Sequence, residues 1–171
     1  MTPQLAFGLS VALSFVAWGI VTRQYLWPAL RRRPRADALR VVLMLHSFRF
    51  VGLGFIVPGV VSPSLPRSFA EPAAYGDLAT AILALLSIAT LKRRFGKILI
   101  WAFNLLGTAD LLRAFYEGNR TAVGTNPGLQ GAVYFITTVL VPLLLITHGL
   151  VFRLLLQRGA PASARSSVPG A

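Results

Sequence analysis

Five polar side chains stand where the surrounding sequence is otherwise apolar: His46, Arg49, Asn104, Asp110 and His148. A polar or ionisable group withdrawn from water costs free energy unless a partner meets it, so any chemistry in this chain is sought first at these positions. Arg49 follows His46 by three residues, which puts both on one face of a helix and Arg49 deep in its apolar run. So deep a guanidinium calls for a carboxylate, and Asp110 is read as the one acidic residue well inside an apolar segment. A local alternative exists, because Arg113 follows Asp110 by three residues and Glu117 follows Arg113 by four, a spacing that pairs them along one helix.

The two histidines pose a second question. His46 lies six residues after Arg40 and His148 five before Arg153, so at a rise of ~1.5 Å per residue both sit roughly 7 to 9 Å from a basic boundary and can share one depth. Two imidazoles facing each other across a bundle can hold a haem iron from both sides, and Gly52, Gly54 and Gly149 would leave room for the macrocycle. His46 and His148 are therefore candidate haem b ligands; the plainer reading is hydrogen bonding to neighbouring helices. Asn104 with Thr108, and Tyr134 and Thr137 with His148, make polar stripes that suit either a hydrated cavity or contacts between helices.

What must position these groups follows from composition. The chain has 171 residues, of which 55% are hydrophobic and only 13% charged, against roughly a quarter charged in an average soluble domain. A soluble core could not hide that much apolar surface. The expectation is an all-α integral membrane bundle of five transmembrane helices, over about Leu5 to Trp27, Leu39 to Val57, Tyr75 to Leu91, Ile98 to Tyr116 and Gly131 to Leu156. They make one domain over 1–158, and the small polar tail 159–171 is expected to be disordered. The third segment, rich in Ala79, Ala81, Ala84, Ser87 and Ala89, suits the bundle interior. Pro28 is expected to end the first helix, and Pro142 to kink the last.

The net charge of +12 does not point to nucleic acid, because the basic residues flank apolar segments and line no surface suited to phosphates. Arg31, Arg32, Arg33, Arg35, Arg40, Lys92, Arg93, Arg94, Lys97, Arg153, Arg158 and Arg165 fall on one side of the five-segment scheme. Arg67 and Arg120 fall on the other, with Arg113 close to that boundary and Glu71 and Asp77 counted with the connection that leads into the third segment. By the positive-inside bias the N-terminus is outside and the C-terminus cytoplasmic, in the cell (inner) membrane. The first segment has no positive charge before it, unlike a signal peptide.

Absences narrow the function. With no cysteine there are no disulfides and no thiolate sites. There is no phosphate loop, no HExxH pair and no GxSxG elbow. With 5 acidic residues, a hydrolytic carboxylate pair is not expected, and five segments do not divide into two equal repeats. Three readings remain. One is a membrane binding or transfer protein whose His/Arg/Asp centre handles a proton, an anion or a lipid headgroup. The others are a haem electron-transfer protein and a structural subunit without chemistry.

Overall fold

Each apolar run is bounded by residues that stop a helix. The computed structural model describes residues 1–157 and turns the runs into five antiparallel helices: α1 (Pro3–Arg31), α2 (Arg35–Ile56), α3 (Arg67–Thr90), α4 (Gly96–Arg120) and α5 (Ile136–Leu156). Among the described residues there is no strand beyond one isolated bridge between Pro58 and Val61. All five helices are long and apolar enough to cross a membrane. The tail from Gly159 onward, with Arg158 and Arg165 of the charge tally, lies outside the described residues.

Four of the helices close a ring. α2 packs on α3, α3 on α4, α4 on α5, and α5 back on α2, while α1 lies outside against α5 and buries no residue before Leu30. Thr2 caps α1 by accepting from the Leu5 amide, and Pro3 fills a position whose missing N–H has no helical partner to lose. The Trp18 indole N–H then ties α1 to the Val139 carbonyl at 3.1 Å.

The ring has two unlike ends. At the basic end, Arg35 donates to the Leu155 and Gln157 carbonyls, where cation and helix C-terminus attract, and the Arg153 guanidinium lies 3.9 Å from the centre of the Trp27 ring. Leu39, Leu43, Ile100, Phe103, Val151 and Leu154 interlock just inside it. At the opposite end, the loop after α2 meets the segment before α5: Ser62 donates to Leu129 O, and Ala132 to Val60 O, each at 3.0 Å. Gly131 makes that approach possible, since its φ is +53° and a Cβ there would run into the Val60 carbonyl. This end is called the lid end below.

Several boundaries differ from the sequence reading. Pro28 does not end α1, which continues to Arg31. A wide π turn over Thr22–Leu26 precedes it, and another over Ile136–Leu140 precedes Pro142, so the helix absorbs each proline by a local change of winding. α3 begins at Arg67, eight residues before Tyr75, because Pro66 stands just before its first turn and Pro72 costs it a single backbone bond. Glu71 and Asp77, read as loop residues, are therefore helical. The last helix begins later than Gly131, whose backbone is not helical.

The second half of α2, Ser47–Ile56, is a 3-10 helix. Its period of three aligns His46, Arg49, Gly52 and Phe55, and all four are buried, whereas Phe48 and Phe50 face outward. Ten residues is long for this tighter winding, and the winding is what aims Arg49 into the ring.

Candidate functional site

All four ring helices converge on Arg49, whose side chain is 1% exposed. Its Nε donates to Asp77 Oδ1 on α3 at 2.6 Å, and its Nη2 to Asp110 Oδ2 on α4 at 2.7 Å. Nη1 completes the set, reaching the Gly107 carbonyl at 3.3 Å and His148 Nε2 on α5 at 3.2 Å. These are the only salt bridges among the described residues. The local alternative is overturned, because Asp110 turns inward to Arg49 and forms no ion pair with Arg113.

Backbone room makes this convergence possible. A Cβ at Gly52 would collide with the Asp77 carboxylate, one at Gly76 with that of Asp110, and one at Gly107 with the His148 ring at 2.6 Å. Three glycines on three helices thus leave the space that the polar side chains fill.

The hydrogen-bond roles fix the ring proton of His148. Arg49 can only donate, so Nε2 accepts; Nδ1 then carries the proton and donates to Asn104 Oδ1 at 2.8 Å, an assignment made from the network. His46 Nε2 lies 3.0 Å from Thr147 Oγ1, whose own hydroxyl proton is directed at the Leu143 and Leu144 carbonyls, so the imidazole donates here. His46 Nδ1 and Asn104 Nδ2 are left without partners. Thr108 bonds back to the Asn104 carbonyl, and Tyr134 and Thr137 lie toward the lid end, away from His148.

His46 and His148 do come together, with ring centroids 4.2 Å apart at 52°, and Phe103 packs edge-on to His46. A haem ligated by both would have to lie between them. The rings instead touch, and one nitrogen of His46 and both of His148 are already engaged, so these residues do not fit a haem. Gly52, expected to make room for the macrocycle, makes room for Asp77, and Gly149 faces open space. Among the described residues no group of three or more His or carboxylate side chains is placed to hold a metal ion.

Beside this centre, in the lid half, is a cavity with about 60 Å³ of free interior volume and about 650 Å³ when its open mouth is counted. Phe7 of α1, Phe55 of α2, Phe69 of α3 and Phe115 of α4 line it, and Gly118, Asn119 and Gly124 bring it to the lid end. Both Asp77 and Asp110 are in its wall, with side chains 10% and 13% exposed, whereas Arg49 is shut behind them. Gln130, also in the wall, is fully buried and faces Thr137 Oγ1 at 2.7 Å. Thr137 has one hydroxyl proton and a competing acceptor in the Tyr134 carbonyl at 2.9 Å, so whichever way the Gln130 amide is turned, one of its terminal atoms lacks a partner.

Asp77, Gln130 and Thr147 are the members that sequence reasoning missed. Asp77 carried a usable signal, because it falls on the α3 stripe Ala70, Ala73, Ala74, Thr80, Ala81, Ala84 and Ser87, all of it buried. Gln130, in a segment read mostly as loop, carried none.

Fold and site together define a class: a four-helix ring with a peripheral fifth helix, closed around one guanidinium held by two carboxylates. The chain belongs to the family described as a domain of unknown function, DUF8737, whose model matches residues 6–156 and so reaches all five helices. No curated protein and no solved structure matches the chain.

Proposed function

We propose that this chain is a multi-pass protein of the cell membrane, N-terminus outside and C-terminus cytoplasmic, that binds and exchanges a proton at the Asp77–Arg49–Asp110 centre through the lid-end cavity. The membrane address rests on five helices long and apolar enough to span and on the crowding of Arg and Lys at one end of the ring. In that orientation the cavity lies in the outer half of the ring, and the interlocked Leu, Ile and Phe side chains fill the cytoplasmic half.

The observation that carries the proton reading is a charge count. One guanidinium faces two carboxylates, so the fully ionised centre has a surplus negative charge in an apolar interior, where an uncompensated charge costs several kcal/mol. A proton shared with the cavity removes that surplus. An anion or a phosphate headgroup is disfavoured by the same count, since every nitrogen of Arg49 is engaged and carboxylates stand between it and the cavity.

Difference infrared spectroscopy of the purified protein tests this: a protonated-carboxyl band should appear and vanish with outside pH, and Asp110→Asn or Asp77→Asn should remove it. A band absent at every pH would leave the second reading, a scaffold in which Arg49 only ties four helices together. Single cysteines placed beside Arg32 and Arg93, in a chain with none of its own, should be labelled from the same membrane face.

A further inference from the structure

We propose that the lid-half cavity binds a small organic ammonium ion carrying a hydroxyl or similar polar group, and that the ion replaces the proton on the Asp77/Asp110 pair. This rests on the proton reading above and adds the ligand class.

Three independent features point the same way. The first is the surplus negative charge, which a cation satisfies as well as a proton does. The second is the wall: Phe7, Phe55, Phe69 and Phe115 line the same cavity as the two carboxylates, a composition that suits alkylammonium groups better than strongly hydrated metal ions. The third is Gln130, whose buried amide keeps one unpartnered terminal atom in the same wall. An ammonium group alone explains the carboxylates, and a second polar group on the ligand explains Gln130.

The surrounding charges leave the surplus in place. Arg49 from α2 has every nitrogen engaged, through four of its five N–H groups, Asp77 comes from α3, and His148 from α5 is engaged as an acceptor with His46 behind it. On α4, Arg113 is exposed and forms no ion pair with Asp110, so its charge offsets the surplus only in part, and Glu117 beside it carries the opposite sign. α1 contributes Phe7, which has no charge. The exchange balances: a carboxylic acid of the pair and a free ammonium ion become a carboxylate–ammonium pair, and the proton leaves to the outer medium.

Choline is a suitable probe because its charge does not change with pH, so any pH dependence belongs to the protein. Calorimetric titration of the protein in maltoside micelles should show binding that weakens as pH falls, by up to about tenfold per pH unit where the pair holds its proton, with up to one proton released per cation. Neohexyl alcohol, the uncharged isostere, and tert-butylacetate, an anion of similar shape, should bind at least about tenfold more weakly. Gln130→Leu should narrow the preference for choline over tetramethylammonium, and Asp110→Asn should abolish proton release.

Equal binding of the uncharged isostere, or choline binding with no proton released at any pH, overturns the proposal with the unmodified protein alone, whether or not the variants fold. A carboxyl band that titrates while choline fails to bind removes the ammonium ligand and leaves the proton reading standing. An unchanged choline preference in Gln130→Leu removes the requirement for the ligand's second polar group.

Discussion

The basic half of the ring and the lid half are built from the same helices by opposite rules. In the basic half, Leu39, Leu43, Ile100, Phe103, Val151 and Leu154 meet side chain to side chain, and helix ends are held by Arg35 and Arg153. In the lid half, α2 tightens to a 3-10 helix, α5 opens to a π turn, glycines replace bulk, and a cavity reaches two carboxylates. Within the four ring helices, irregular winding thus occurs where polar groups must converge, while regular winding and mostly large apolar residues occur where packing alone is needed; the π turn of α1 lies outside the ring, beside Pro28. A ring held together only by packing could have been built throughout like its basic half.

The sharpest way to break this contrast is at Arg49. Arg49→Ala strands two buried carboxylates and should cost on the order of 3 to 5 kcal/mol, seen as a lower melting temperature or loss of monodisperse protein in detergent. Arg49→Lys keeps the charge but not the fork that spans both carboxylates, so its stability should fall between the two. Leu43→Ala, in the basic half, should cost about 2 to 5 kcal/mol by leaving a cavity, yet leave the carboxyl infrared band unchanged. A change in that band would show that the two halves are coupled. Gly107→Ala drives a methyl into the His148 ring and the Thr80 side chain and should cost about 1 to 3 kcal/mol, together with a shifted carboxyl band. Gly149→Ala meets open space and should stabilise α5 by up to about 1 kcal/mol, the control for all glycine variants.

The basic half was easier to read from sequence than the lid half, for a physical reason. Apolar runs punctuated by Arg and Lys report length and direction whatever the local winding, so five long helices and the tight turn before Gly96 follow from composition alone. Arg49 and Asp110 could be matched because a buried charge demands a partner. Asp77 was lost because Pro63 and Pro66 made the stretch after the second segment read as an extended loop, whereas a proline just before a helix start is tolerated. The contact between His46 and His148 rests on depth, which sequence gives; their ring orientation rests on Phe103 and Thr147, which it does not. The 3-10 winding left only a faint trace, the period of three through His46, Arg49, Gly52 and Phe55.

That winding gives α2 a stored length. A 3-10 helix rises ~2.0 Å per residue and turns about 20° further at each step than an α-helix, so rewinding Ser47–Ile56 would shorten the segment by about 5 Å and swing Phe55 about 120° around the axis relative to Arg49. Phe55 would then leave the cavity wall by a screw motion, while Phe7, Phe69 and Phe115 on the other helices keep their places and Arg49 stays anchored between its aspartates.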